Sequence, residues 1–208
     1  MTRSQIIALV QAKMDEVHPF AQGETITDVQ IEKQLDVSAI SLVEMLPSVL
    51  ANPTSASPMP DTSNFKESFS IDIKCPADFI RLHRVKLDAW QRPVVELYPD
   101  GDKLFYQQDY DYIKATIRRP MAALYRKDGF EYITCYPAPA EAPESGHISE
   151  FVYVKSPTAA ETLPDNMIEM LAWKCSANIY SITRQSDLAQ VCDARLNEII
   201  QSKLKYRG

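Results

Sequence analysis

Apolar residues recur at helical spacing at both ends of the chain. One apolar stripe covers residues 3–17, and a second follows Thr27 and ends before Pro47. Toward the C-terminus a third stripe runs up to Ile182, and a fourth begins at about Ser186. The pattern therefore predicts two helices before the middle of the chain and two after it.

Capping signals support two of these helix starts. Thr27 is followed three residues later by Gln30, which predicts a capping box in which each residue bonds the other's main chain. Thr162 and Asp165 have the same spacing, and Pro164 would lie in the first turn, where its missing N–H costs little. Thr162 is therefore a candidate N-cap of the third helix.

The third helix carries apolar residues on two flanks. One stripe is Ile168, Leu171, Cys175, Ile179 and Ile182, and a second is Trp173, Ala177 and Tyr180. A helix of this kind packs against two neighbours. Each terminal helix pair is too small to bury its stripes alone, so the economical arrangement is one up-down four-helix bundle formed by both pairs.

The middle of the chain changes to a period of two. Apolar and polar residues alternate over residues 69–75, which predicts a half-buried strand. Four later segments are short, β-branched or aromatic, and bounded by Pro, Gly or Asp: HRVKLDAW, PMAALYR, FEYITCYP and SEFVYVK. The predicted fold class is α+β, with an inserted antiparallel β domain at residues 65–157. Residues 1–64, ending in a proline-rich loop at 52–64, and 158–208 would form the helical part.

The segment CPADFIRLHRVKLDAWQRPV, residues 75–94, shows a slip in this alternation. Its apolar positions change from even to odd numbers at His83, which predicts either a bulge there or a tight turn over residues 78–80 before the strand begins. Three basic residues would then face outward: Arg81, Arg84 and Lys86. They are either solvated residues at a corner of the β domain or a basic surface for a polyanion.

Composition excludes several function classes. The net charge is −6, from 22 basic and 28 acidic residues, which argues against a general nucleic-acid coat but allows a local basic patch. The four cysteines are widely spaced, which is typical of buried free thiols in a cytosolic protein. Neither a phosphate-binding glycine motif nor a catalytic motif of a known hydrolase occurs, so we expect no enzyme activity, cofactor or metal. No apolar run reaches the length of a membrane helix.

Three stretches carry a resemblance to a known family. PADFIRLHRVKLDAWQRPV, IRRPMAAL and EYITCYP resemble head–tail connector (adaptor, ring or neck) proteins of tailed bacteriophages, especially of crAss-like phages. The resemblance implies a four-helix bundle with an inserted β region, assembled into a homo-oligomeric, dodecameric ring. Such a ring docks below the portal protein, surrounds the DNA exit channel and contacts neighbouring neck or tail proteins. The expected location is the head–tail junction of the virion, after assembly in the host cytoplasm.

Two groups of residues are candidate contact sites. Arg118 and Arg119 precede Pro120, so we expect them in extended backbone with diverging side chains. Together with Arg81, Arg84 and Lys86 they would lie at a subunit interface or face transiently passing DNA. The basic C-terminus is expected to fray and to form a docking tail through Leu204, Lys205, Tyr206 and Arg207. Cations also favour a helix C-terminus without any partner, which is the alternative explanation.

Other function classes remain open from the sequence. The same five basic residues would suit a nucleic-acid-binding assembly factor, and the β region would suit a glycan- or protein-binding module. An enzyme of unrecognised type is the remaining alternative. Ring particles in micrographs would favour the connector subunit, whereas tight DNA binding at moderate salt would favour the assembly factor.

Overall fold

The computed structural model describes residues 1–18, 27–57, 59–60, 64–66, 70–99, 101–106, 108, 114–138 and 148–205. Its fold class is α+β, as predicted from the sequence. The chain divides into two compact units. The helical unit comprises residues 1–51 and 156–208, and the β unit comprises residues 52–155.

Each of the four helices predicted at the chain ends is confirmed. In chain order the helices are α1 (Arg3–Val17), α2 (Asp28–Met45), the one-turn α3 (Lys103–Tyr106), α4 (Asp165–Ile182) and α5 (Ser186–Lys205). Of these, α3 belongs to the β unit and the other four to the helical unit. Three buried residues of α1 and six of α2 face the interior of the helical unit.

Helix α4 is the centre of the helical unit. It contacts α1, α2 and α5, one neighbour more than the sequence predicted. Its predicted apolar stripes are buried up to Tyr180, whereas Ile182 at the last turn is 62% exposed. The buried Tyr180 hydroxyl donates to the Met14 carbonyl of α1 at 3.1 Å, which satisfies its one polar group.

One predicted helix cap is confirmed and the other is wrong. The Gln30 side-chain oxygen accepts from the Thr27 amide at 3.0 Å, as the capping box requires. Thr162 instead lies in a 3₁₀ turn at Ala160–Thr162, and its hydroxyl donates to the Ala159 carbonyl at 2.6 Å. Because Thr162 is bonded within its own turn, α4 begins later, with Pro164 at the N-cap.

Arg3 ties three elements of the helical unit together. Its guanidinium forms two 3.0 Å hydrogen bonds to the Asp36 carboxylate of α2 and a 3.2 Å bond to Glu161 of the 3₁₀ turn. Asp36 also accepts from the Ala160 amide at 2.9 Å. The hydrogen bond from Arg3 is the main cause of a lowered pKa at Asp36, so the carboxylate is held in its charged form.

The described part of the β unit forms two antiparallel sheets. The strands are β1 (Thr54–Ser55), β2 (Asn64–Lys66), β3 (Ser70–Lys74), β4 (Phe79–Leu87), β5 (Met121–Lys127), β6 (Phe130–Tyr136) and β7 (Ile148–Lys155). One sheet has the order β1-β7-β4 and the other β2-β3-β6-β5. The prediction that residues 52–64 are only a loop of the helical part is wrong, because β1 pairs with β7 inside the β unit.

The slip predicted within residues 75–94 is a bulge in β4. Leu82 pairs with Tyr153 and Arg84 with Val152, so His83 is the extra residue at the predicted position. The bulge restores the alternation of faces, and the apolar residues on both sides of it reach the core. Trp90 then enters the same core, and its indole N–H donates to the Pro137 carbonyl at 2.9 Å.

Strand β3 is buried on both faces, so the prediction of a half-buried strand is wrong. Asp72 is 2% exposed and accepts hydrogen bonds from the hydroxyls of Tyr125, at 2.8 Å, and Thr134, at 2.7 Å. The same face of the sheet is covered further along, where Phe105 of α3 packs edge-on against Tyr136. The sequence indicated polar positions correctly but could not show what lies over them.

The turn between β5 and β6 sets the register of this hairpin. Asp128 and Gly129 both have positive φ, 51° and 80°, as a two-residue type I′ turn requires. Lys127 therefore pairs with Phe130, and pairing continues through Met121 opposite Tyr136.

All four cysteines are free and buried, as expected. Burial raises the pKa of the thiols, from 9.0 to about 11 for Cys175 and Cys192 and to about 12 for Cys75. The folded state thus favours neutral thiols, whereas the unfolded chain ionises them at lower pH.

We expect the melting temperature to fall as the pH rises from 9 toward 11. In this range the thiols ionise in the unfolded chain but stay neutral in the folded protein, where their pKa is raised, so the unfolded state is stabilised. A thiol-specific colorimetric reagent should react slowly with the native protein at pH 8 and with all four thiols in urea. The Cys175→Ala/Cys192→Ala variant should show a shallower decline in the melting temperature. An unchanged decline would mean that other groups cause it.

Candidate functional site: contact surfaces

The three basic residues predicted on β4 do not form a free cationic strip. Arg84 is exposed, and its Nε lies 2.6 Å from a carboxylate oxygen of Glu150 on β7. Arg81 and Lys86 are half-buried rather than solvated, and burial lowers the pKa of Arg81. The strand therefore presents one ion pair and two partly covered cations.

Arg118 and Arg119 are both exposed on a tight turn. The Thr116 amide donates to the Arg119 carbonyl at 3.1 Å, and the Arg119 amide donates to the Thr116 carbonyl at 2.9 Å. The predicted extended backbone is therefore wrong for Arg118, which lies within the turn. Only Arg119, which directly precedes Pro120, falls under the proline constraint.

A third arginine lies beside this turn. The Gln91 amide donates to the Ile117 carbonyl at 2.9 Å, so the segment containing Arg92 runs next to the turn. An open cleft of about 460 Å³ is lined by residues 92–99 and Pro120. We call Arg92, Arg118 and Arg119 the arginine corner. Sequence reasoning missed Arg92, because only the tertiary main-chain bond places it there.

The outer side of α2 exposes apolar residues that sequence reasoning also missed. Val29, Val37 and Ile40 are 57%, 58% and 37% exposed. At 100° per residue their side chains fall within an arc of about 80°. We call these three residues the α2 face. The signal was visible as an apolar spacing opposite the stripe that packs on α4.

A small groove lies beside the α2 face. It has a volume of about 110 Å³ between α2 and the end of α4, and it is lined by Gln30, Lys33, Gln34, Ile179, Ile182 and Thr183. The exposed Ile182 forms part of its wall. The α2 side of this groove is polar, and its apolar lining comes from Ile179 and Ile182 of α4.

The predicted fraying of the C-terminus is wrong within the described chain. Helix α5 continues to Lys205, with Leu204 half-buried and Lys205 exposed. The basic residues at Lys203 and Lys205 lie in the last helical turn, where cations interact favourably with the helix dipole. Tyr206 and Arg207, the other two residues of the predicted docking tail, lie outside the described residues.

Within the described residues, no three His, Cys, Asp or Glu side chains come close enough together to hold a metal ion. Among the described helices, none has the length and apolar character needed to cross a bilayer. Comparison with protein-family models gives no match, and no curated protein matches the chain significantly. The contact surfaces are therefore interpreted from their own chemistry.

Proposed function

We propose that the protein is the subunit of a homo-oligomeric ring, and that this ring belongs to the head–tail connector of a tailed bacteriophage. The observation that carries the ring is the α2 face, three exposed apolar side chains on a helix whose other side is packed. The exposed Lys33 lies between Val29 and Val37 on the same side of the helix. The resemblance of residues 76–94 and two later stretches to connector proteins supplies the biological setting. In that setting the ring docks below the portal and surrounds the DNA exit channel.

The proposed architecture of the subunit is a four-helix bundle that carries the β unit as an insertion. The contacts of α4 with α1, α2 and α5 support this arrangement, as do the contacts of α1 with α2 and α5. A bundle of this kind gives a ring subunit a rigid body with several differently shaped sides.

A second copy of the chain is the proposed occupant of the α2 face. A ring closes through heterologous contacts, in which one surface meets a different surface of the next copy. The outer side of α5 offers a complementary surface, since Val191 is 45% exposed and Asp187 lies one turn before it. Lys33, which lines the groove beside the α2 face, would meet that carboxylate.

The arginine corner is proposed to face the channel or the neighbouring subunit. In a chain with a net charge of −6, a few arginines would guide passing DNA without gripping it, because phosphate attraction scales with the number of neutralised contacts. The end of α5, with Leu204 and Lys205, is proposed to dock on the portal or the next ring together with Tyr206 and Arg207.

We expect Val37→Glu/Ile40→Glu to convert rings into monomers, because each carboxylate would have to be buried in the contact between copies. Both side chains are solvent-exposed in the subunit, so the melting temperature of the monomer should change little. Mass photometry and negative-stain micrographs measure the assembly. Val49→Glu, at a position 50% exposed and outside the proposed contact surfaces, is the matched control and should leave rings intact.

Two results would count against the proposal. A wild-type protein that is monomeric at every accessible concentration contradicts the ring, and rings that survive Val37→Glu/Ile40→Glu contradict the α2 face. A monomer that binds duplex DNA at moderate salt, and loses binding in Arg118→Glu/Arg119→Glu, would instead favour the nucleic-acid-binding assembly factor. The arginine corner is the observation that supports this second function.

A further inference from the structure

One face of the β5–β6 hairpin gathers aromatic and basic side chains. Residues opposite each other in an antiparallel pair share a face, and so do residues two apart along a strand. Tyr132 is opposite Tyr125, Lys127 is opposite Phe130, and Lys74 of β3 is opposite Tyr132. We call these five residues the tyrosine face.

Ring contacts order the tyrosine face. The rings of Tyr125 and Tyr132 stack with centroids 5.4 Å apart and an interplanar angle of 21°. The ammonium of Lys74 lies 3.7 Å from the centroid of the Phe130 ring. The Tyr125 hydroxyl donates to the buried Asp72, which anchors the stacked pair to the sheet. These rings are held in place before any ligand arrives, which lowers the entropy cost of binding.

The tyrosine face is open to solvent. Phe130 is 51% exposed, Lys74 and Lys127 are exposed, and both tyrosines are half-buried. An exposed phenylalanine beside partly exposed tyrosines contributes nothing further to the core, which lies on the opposite face of the sheet around Ile133 and Cys135.

The charge on this face is positive although the whole chain is acidic. Lys74 and Lys127 are its two cations. The Arg126–Glu131 ion pair, at 2.8 Å, belongs to the opposite face of the same two strands. The buried carboxylate of Asp72 faces the hydroxyls of Tyr125 and Thr134 rather than solvent.

We propose that the tyrosine face binds single-stranded nucleic acid. Flat aromatic side chains on a sheet accept stacked bases, and flanking lysines attract the phosphates between them. Duplex DNA fits this surface less well, because its bases are already stacked and only its phosphates remain accessible. This activity is separate from the ring contact and does not depend on it.

A glycan fits the face less well than a nucleic acid does. Sugars stack on aromatic rings too, but they also need polar acceptors for their hydroxyls. The described carboxylate of this face, Asp72, is buried and already accepts two hydrogen bonds. An acidic peptide would use the lysines without needing the rings.

Fluorescence anisotropy with a labelled oligothymidylate of about 12 nucleotides tests the proposal on the full chain. We expect Tyr132→Leu to weaken binding about tenfold, the loss of roughly one stacked base. Tyr132→Phe keeps the ring and should bind as the wild type does. Circular dichroism and melting temperature establish that each variant is folded.

A matched pair of lysine and arginine variants tests the face itself. Lys127→Gln should weaken binding several-fold and reduce the slope of log K against log salt by about 0.7, one phosphate contact. Arg126→Gln removes the same charge from the neighbouring residue on the opposite face and should leave binding unchanged. Asp128→Asn, in the turn next to Lys127, should strengthen binding, because it removes a nearby negative charge.

Several outcomes would overturn the proposal. These are no binding of the oligonucleotide at low salt, equal losses in Lys127→Gln and Arg126→Gln, or no loss in Tyr132→Leu. If inorganic polyphosphate, which has no bases, competed with the oligonucleotide as well as unlabelled oligonucleotide does, the face would be a general anion-binding patch. Binding of a glycan array in place of the oligonucleotide would assign the face to sugars. The ring-deficient Val37→Glu/Ile40→Glu variant should still bind the oligonucleotide, which separates this test from that of the ring.

Discussion

Replacing Trp173 by alanine is expected to lower the free energy of unfolding of the helical unit by about 3–5 kcal/mol. The indole is 5% exposed and lies on α4, the helix that contacts the other three long helices. The ammonium of Lys13 on α1 lies 5.1 Å from its ring centroid, so the variant also loses a cation–π contact. Urea denaturation followed by circular dichroism at 222 nm measures the change.

A substitution at the end of the same helix provides the control. Ile182 is 62% exposed, so Ile182→Ala should change the free energy of unfolding by less than about 0.5 kcal/mol. If Trp173→Ala cost no more than Ile182→Ala, the placement of α4 at the centre of the helical unit would be wrong.

Replacing Asp72 by alanine is expected to destabilise the β unit by about 2–5 kcal/mol, because it removes a buried acceptor that two hydroxyl groups share. Tyr125 and Thr134 donate to this carboxylate at 2.8 and 2.7 Å. Burial and the bond to Asp72 also raise the pKa of Tyr125, so its neutral donor form is favoured in the folded state. Denaturant unfolding followed by fluorescence in a Trp173→Phe background, where Trp90 is the one tryptophan of the sequence, reports the loss.

If the lost hydrogen bonds cause the destabilisation in Asp72→Ala, a second result is expected. Removing the two donors as well, in Asp72→Ala/Tyr125→Phe/Thr134→Val, should recover part of the stability lost in Asp72→Ala. Polar groups that are replaced together leave no unpaired buried donor behind. A triple variant less stable than Asp72→Ala would show that packing volume, not hydrogen bonding, dominates at this site.

Local patterns in the sequence were sufficient for the long elements. The apolar stripes of α1, α2, α4 and α5 repeat within the chain, and the Thr27–Gln30 cap lies within one turn, so no distant residue is needed to recognise them. The bulge at His83 was equally local, because a change of parity in the alternation is visible without knowing the partner strand. The cap predicted at Thr162 is wrong, because the Thr162 hydroxyl donates to a carbonyl of its own turn.

The candidate surfaces could be predicted only in part. Arg118 and Arg119 were recognised as an adjacent basic pair before Pro120, but Arg92 joins them only through the bond between Gln91 and Ile117. Arg84 was correctly placed outward, yet its partner Glu150 comes from a strand more than 60 residues away. The Asp128-Gly129 pair is a typical two-residue hairpin turn. Because Lys127 and Phe130 pair across this turn, the residues two further along each strand, Tyr125 and Tyr132, must also pair.

The sequence by itself indicated the four long helices, five of the seven described strands and the burial of the four thiols. Hydrophobic periodicity and capping act within a few residues, so the printed sequence contains all that they need. The tertiary structure alone decided that Asp72 is buried, that α4 has three neighbours, and that the α2 face and the tyrosine face remain exposed. Whether a side chain is buried depends on which distant segment packs over it. The sequence of a single strand or helix does not show where that segment lies.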